Sequence, residues 1–311
     1  TAINQLDAII LVIAATDGVM PQTREHLLLA KQIGITHIII YINKVDALEG
    51  DDEEKEMLTN MIEDETRALA KEFGFTVQAV ITGSALCALE SKQEEFGKKS
   101  IEALFQAIDA LPQPPILDNE PFRMNVEAVL SIPGRGTVVT GRICSGRVKM
   151  GDELGIIGMN KDKKGLVVTG IERFHKPCDS AKSGDNVGIL MRGISKKEEV
   201  CRGVTLVKPN EDHPKVAKTF HAQFLCVKEE DGGRQKPFTD SFQPQVFIGT
   251  ANLTAVKLQF EQGVKMIAPG EHTNIQITLQ HSLCLFKGAK FTVRESNKTI
   301  ASGTITSVVA E

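Results

Sequence analysis

The chain has 311 residues, with 36 Lys and Arg against 40 Asp and Glu and a formal charge of −4. That length suffices for two or three domains with separate cores, and the near-neutral charge argues against a general nucleic-acid binder. No run of about 18 apolar residues and no basic-then-apolar leader occurs, so the chain reads as soluble, with no membrane partner.

Cys87, Cys144, Cys178, Cys201, Cys226 and Cys284 are scattered, with no Cys-x-x-Cys pair. A disulfide framework or zinc site is therefore not expected, and a reduced compartment is. The seven histidines show no i, i+4 ligand spacing, so no structural metal is expected either. The chain opens on Thr1 rather than a methionine, inside what reads as an element leading into a buried strand, and it therefore reads as a fragment. The charge is unevenly spread: residues 1–110 hold 9 Lys and Arg against 19 Asp and Glu, and residues 111–311 hold 27 against 21. If RNA binds, the second part should supply most of the phosphate contacts.

In chain order, Ala8 to Ile13 and Ile38 to Ile42 are continuous apolar runs, as expected of strands covered on both faces of a parallel sheet. Between them Pro21 and Thr23 open a helical stretch carrying Leu27, Leu28, Ala30 and Ile33, which makes a strand-helix-strand crossover. A second helix follows the acidic Asp51-Asp52-Glu53-Glu54, with Leu58, Met61, Ile62, Leu69 and Phe73 predicted to line one face. Negative charge favours a helix start, so the acidic run needs no functional explanation. A third strand, Val77 to Ile81, leads to Gly83-Ser84-Ala85-Leu86, and a last helix is predicted from about Ser100 to Ala110.

Leu111-Pro112-Gln113-Pro114-Pro115 cannot continue a helix and is the best linker in the chain. Beyond it come short alternating runs such as Gly136 to Thr140, Thr219 to Val227, Thr273 to Leu279 and Ala289 to Val293, separated by turn residues. The expected fold is an α/β domain with a parallel sheet and helices over residues 1–112, followed by two all-β barrel domains. The barrels are expected at 113–209, including a linker at 113–120, and at 210–311, with the break near Lys208-Pro209-Asn210.

Asn43-Lys44-Val45-Asp46 directly follows a buried strand, where open parallel sheets bind ligands beyond their strand ends. A carboxylate there can accept from both the N1–H and the exocyclic amine of guanine, a pattern adenine lacks. Lys44 could lay its stem along the base, and Asn43 could tie its loop to a neighbour. Alone the string is a weak signal, equally readable as a polar turn. The pairing decides, because Ser84-Ala85-Leu86 follows the next strand, where a backbone N–H can reach guanine O6.

With these residues the chain resembles the translational GTPases, in particular the elongation factor Tu family. The resemblance is carried by Ala15 to His26, Asn43 to Asp46, Gly83 to Leu86, Gly134-Arg135-Gly136-Thr137-Val138-Val139-Thr140-Gly141 and Asp231-Gly232-Gly233-Arg234, in family order. It implies that residues 1–112 are a truncated α/β nucleotide domain ahead of the two barrels, and with it binding of GTP and GDP, Mg²⁺ in the intact parent, and delivery of aminoacyl-tRNA to the ribosome. Guanine contacts would come from Asn43, Lys44, Asp46, Ser84, Ala85 and Leu86, and an exchange factor of the elongation factor Ts type would be a partner.

In the same resemblance Glu172 matches the residue against which the terminal adenosine packs, and Asn186 lines the aminoacyl pocket. Arg202 lies near the 5′ phosphate, although Ser195 to Glu199 is one residue longer than usual there, and Arg234 meets the acceptor and T-stem backbone. By themselves Glu172 and Asn186 would be ordinary loop residues, both arginines ordinary surface cations, and the glycines of Gly134 to Gly141 turn residues. Ala128 and Leu130 stand where bacterial members carry an acid and an aromatic. With Pro133 and Ser84 to Glu90 they look more like animal mitochondrial members, so a mitochondrial matrix location is expected, with the bacterial cytoplasm as alternative.

Phosphoryl transfer needs a glycine-rich loop with its lysine, a Mg²⁺ ligand and a residue that positions water. No Gly-x-x-x-x-Gly-Lys-Ser/Thr run is present, so hydrolysis by these residues alone is not expected and no catalytic residue is assigned. The alternatives are a related translational GTPase, such as an initiation or selenocysteine-specific factor, and a non-enzymatic, chaperone-like module of the barrels.

Overall fold

The computed structural model describes residues 6–113, 115–132, 134, 136–194, 199–229, 233–261, 264–296 and 298–309, without the side chains of residues 29, 32 and 33. Thr1, Ile33, Pro114, Pro133, Arg135, Ser195 to Glu198, Asp231 and Gly232, which entered the sequence reading, thus lie wholly or by their side chains outside the described residues. The chain divides into two compact units, one from Leu6 into the proline run and one from Pro115 onward.

The first unit runs β1 (Ala8–Ala14), α1 (Pro21–Ile33), β2 (His37–Asn43), α2 (Asp52–Glu72), β3 (Thr76–Thr82), α3 (Ala85–Glu90) and α4 (Lys98–Asp109). Its three strands form a parallel sheet in the order β1-β2-β3. The run of isoleucines in β2 is explained by its central place, because successive side chains point to opposite faces. Ile38, Ile40 and Ile42 meet Leu27 of α1 and Ile62 and Leu69 of α2 on one face. Ile39 and Tyr41 meet Ile101, Leu104 and Ile108 of α4 on the other.

Helix α1 starts with Pro21, whose fixed φ suits a first turn, and stops at Gly34, whose φ of 87° is left-handed. Helix α2 starts in a reciprocal cap: Asp51 accepts from the Glu54 N–H at 2.9 Å, and Glu54 accepts from the Asp51 N–H at 3.2 Å. Its buried face is Thr59, Ile62, Thr66, Leu69 and Ala70. Leu58 and Met61, predicted to share that face, are instead 40% and 58% exposed. They sit one residue before Thr59 and Ile62, about 100° round the helix, and two buried threonines take the places an apolar pattern would have filled.

Beyond Pro115 no α-helix occurs among the described residues. The first barrel region contains β4 (Arg123–Ile132), β5 (Gly136–Ser145), β6 (Arg147–Lys149), β7 (Glu153–Ile157), β8 (Lys163–Arg173), β9 (Lys176–Cys178), β10 (Ser180–Lys182), β11 (Asn186–Arg192) and β12 (Thr205–Val207). Six of these, in the order β11-β5-β4-β12-β7-β8, close on themselves through β8–β11. Closure leaves no open edge on the ring, and Met124, Val126, Val139, Ile143, Leu166 and Ile189 alternate into its core.

The second contains β13 (Lys215–Cys226), β14 (Phe238–Thr239), β15 (Gln245–Ile248), β16 (Ala251–Phe260), β17 (Met266–Ile267), β18 (His272–Leu285), β19 (Lys290–Glu295) and β20 (Lys298–Val309). Its ring is β13-β18-β16-β15-β19-β20. Phe220, Phe224, Phe238 and Phe291 fill it through edge-on and stacked contacts, with ring centroids 5.2 to 6.4 Å apart.

The glycines of β5 and its approach serve two purposes. Gly134 and Gly136 have φ of 74° and 117° and make the turn expected of them. Gly141 lies inside the strand, where a Cβ would stand 2.1 Å from the Asn125 carbonyl oxygen, so close backbone approach explains it.

Candidate functional site

In the first unit two loops meet at the carboxyl ends of β2 and β3. Lys44, exposed and left-handed at φ 64°, turns the chain out of β2 into a short 3-10 turn, Val45–Ala47. Val45 is buried beneath this turn and anchors it, and Asp46 is exposed on it. The Val45 N–H donates to the Gly83 carbonyl at 3.4 Å, and the Gly83 N–H donates to the Ile42 carbonyl at 2.9 Å. Asn43 crosses between the loops, its Oδ1 accepting from the Ala85 N–H at 3.0 Å.

The second loop ends in α3, a six-residue helix absent from the sequence reading. Ser84, fully buried, caps it by accepting from the Cys87 N–H at 3.1 Å. With Ala85 and Cys87 engaged, the Leu86 N–H is the first-turn donor left without an acceptor among the described residues. Asn43, Lys44, Asp46, Ser84, Ala85 and Leu86 are thus brought into one locality. It offers an exposed carboxylate, a lysine stem and an uncommitted peptide N–H.

In the first barrel Glu172 on β8 stands opposite Gly188 of β11. Asn186 lies two residues before Gly188 and so shares its face of the sheet. Both side chains line a groove of about 850 Å³ on the outside of the barrel, together with Glu127, Leu130 and Phe174. Leu130 is 51% exposed there, whereas Ala128 is not among the lining residues. The groove's rim is braced by Arg173, which donates to Asp185 at 3.2 Å, while Asp185 also accepts from the Lys182 N–H at 3.0 Å.

Phe174 and His175 escaped the sequence reading. They form the tip of the β8–β9 hairpin at φ of 51° and 61°, and Phe174 is 79% exposed beside the groove. Bulky residues are costly in that conformation, and Arg173-Phe174-His175-Lys176 contains no Gly or Asn that would have announced it.

The two arginines differ. Arg202 is exposed, but its Nε donates to the Thr250 carbonyl at 2.8 Å, tying the two barrels together. Arg234 has a side chain only 14% exposed, lies 4.1 Å from the ring centroid of Phe242 and 5.2 Å from that of Phe238, and reaches Glu295 only at 3.8 Å. Its Nε and Nη1 are buried without a hydrogen-bond partner among the described residues. A guanidinium so placed carries a desolvation cost that the two phenylalanine faces and the Glu295 carboxylate offset in part. Arg234 is thus not the ordinary solvated cation that its sequence context alone suggests, whereas Arg202 is exposed with its Nε engaged.

Models of three known domains match the chain in succession. Residues 1–114 match the elongation factor Tu GTP binding domain, residues 136–207 elongation factor Tu domain 2, and residues 213–309 the elongation factor Tu C-terminal domain. The parallel sheet followed by two closed antiparallel barrels is the architecture those matches require. With all three domains in order over most of its length, the chain belongs to the elongation factor Tu family of translational GTPases.

Proposed function

We propose that this chain reads the guanine of GTP and GDP and carries aminoacyl-tRNA to the ribosomal A site, with an elongation factor Ts-type protein as its exchange factor. The observation that carries the tRNA reading is the convergence of Glu172 and Asn186, from two strands, on one groove of the first barrel. The terminal adenosine packs against Glu172, and the aminoacyl group lies toward Asn186. Leu130 and Phe174 supply apolar walls beside the carboxylates of Glu127 and Glu172.

At the other site Asp46 accepts from the N1–H and amine of guanine. Lys44 lies along the ring, and the start of α3 donates to O6. Asn43, held by Ala85, keeps the two loops in register. Bound nucleotide phosphates supply the bond that is hydrolysed. No residue of this chain is assigned to those phosphates or to Mg²⁺. Resemblance at Ala128 and at Ser84 to Glu90 favours the mitochondrial matrix as its location.

The test is to change Glu172→Ala and Asn186→Ala in the full-length, GTP-loaded protein. Each variant should bind aminoacyl-tRNA about tenfold or more weakly, the effect of a lost hydrogen bond or packing contact in a desolvated pocket, with GTP affinity unchanged. Equal loss of nucleotide and tRNA binding would make both residues structural and remove the pocket assignment.

A further inference from the structure

Behind the base-reading loops lies a chain of buried hydrogen bonds to which no role has yet been given. Tyr41, the only tyrosine in the sequence, is 3% exposed on a face of β2 otherwise covered by apolar side chains. A phenylalanine would fill that space equally well. Its hydroxyl instead meets Ser100 Oγ of α4 at 2.8 Å. Ser100 Oγ also faces the Phe96 and Gly97 carbonyls at 2.8 and 2.7 Å. Both are acceptors and a serine has one proton to give, so Tyr41 is the donor of the first bond and Ser100 the donor of the next.

The Phe96 carbonyl is where the chain reaches the site. It also accepts from the Ser84 N–H, at 2.7 Å. Ser84 caps α3, and the next residue, Ala85, is bonded to Asn43. Gly83 completes the fit: a Cβ there would lie 2.2 Å from Ser100 Oγ and 2.6 Å from the Tyr41 hydroxyl, so the loop is pressed directly onto this pair.

We infer that Tyr41 and Ser100 are positioning residues for guanine recognition, which fix through the Phe96 carbonyl the peptide N–H groups at the start of α3 that meet O6. The inference rests on the base-reading assignment proposed above. Neither side chain touches the nucleotide. Removing either hydroxyl frees the Phe96 segment and Ser84 to shift, and the directional contact to O6 degrades first. The Asp46 turn is spared because it is anchored by the buried Val45 side chain, a hold that passes through neither Ser84 nor the Phe96 carbonyl, and its longer bond to Gly83 is secondary.

The experiment measures GDP, inosine diphosphate and 6-thioguanosine diphosphate binding to the full-length protein and to its Tyr41→Phe, Ser100→Ala and doubly substituted forms. Inosine lacks only the 2-amine, which reports on Asp46, whereas 6-thioguanosine replaces O6 by a poorer acceptor. Each single variant should lose about three- to tenfold in GDP affinity, the worth of one ordinary hydrogen bond, and most of the preference for GDP over the 6-thio analogue. The preference for GDP over inosine diphosphate should stay as in the parent, and the double variant should be no weaker than either single one, because both act through one chain of bonds.

Unchanged preference for O6 over sulfur, even with a lowered melting temperature, would reduce the pair to core packing and overturn the inference. Parallel loss of both preferences would overturn it as well, by showing general distortion. An Asp46→Asn control that keeps full guanine affinity would instead bring down the base-reading assignment itself.

Discussion

Asp46 illustrates how a short exposed turn acquires chemical meaning from its surroundings. The carboxylate has no protein partner among the described residues, yet its backbone is pinned by buried Val45 and by the bond from Val45 to Gly83. An amide at the same place accepts one hydrogen bond and donates another, so it no longer matches guanine but does match xanthine. Asp46→Asn in the full-length protein should lower GDP affinity by about one to two orders of magnitude and raise that for xanthosine diphosphate. Nucleotide titration reads this directly, and unaltered GDP binding would refute the role. The tie from Asn43 to its neighbouring loop was legible, because Asn43 closes one buried strand and Ala85 follows the next, and the structure joins them at 3.0 Å. The Tyr41–Ser100 pair was not, since its members lie 59 residues apart and only the folded sheet and helix bring them together.

At the scale of elements, the strands were most legible where the chemistry is one-sided. The isoleucines of β2 had to be central, and the alternation of β13 and β18 had to be a barrel wall. Helix α3 was not legible because six residues carry too little periodicity, and its real signal is the cap of Ser84 on Cys87. The predicted face of α2 fails at Leu58 and Met61 because apolar content alone does not fix helical phase, and Thr59 and Thr66 hold the buried positions.

The end of β13 makes a prediction of its own. Burial pushes the Cys226 thiol up from 9.0 to about 12, helped by Glu271 and opposed by Arg234. Below the unfolded value of 9.0 both states keep the proton and the contribution is complete. Above it the unfolded chain ionises first, so stability falls as pH rises toward 12. The denaturation midpoint should decline across this alkaline range, less steeply in Cys226→Ala, and equal slopes for the two proteins would contradict the burial argument.

Over the whole molecule, charge and fold divide the labour. The acidic part, residues 1–110, holds the two loops proposed to read the base, while the excess of Lys and Arg lies in residues 111–311, which contain the groove lined by Glu172 and Asn186 as well as Arg202 and Arg234. Phosphate contacts are non-specific and salt-sensitive, and a pocket for the esterified 3′ end is neither. A carrier of charged tRNA needs both. The most direct test compares aminoacyl-tRNA with the same tRNA deacylated, each titrated against the GTP-loaded full-length protein over a range of salt concentrations. The account predicts tighter binding of the charged form at every salt concentration, and two parallel lines of log affinity against log salt. Each phosphate contact should contribute roughly 0.7 to 0.9 to their common slope. Equal affinity for the two tRNAs, or a flat salt response, would contradict the claim that this chain carries aminoacyl-tRNA.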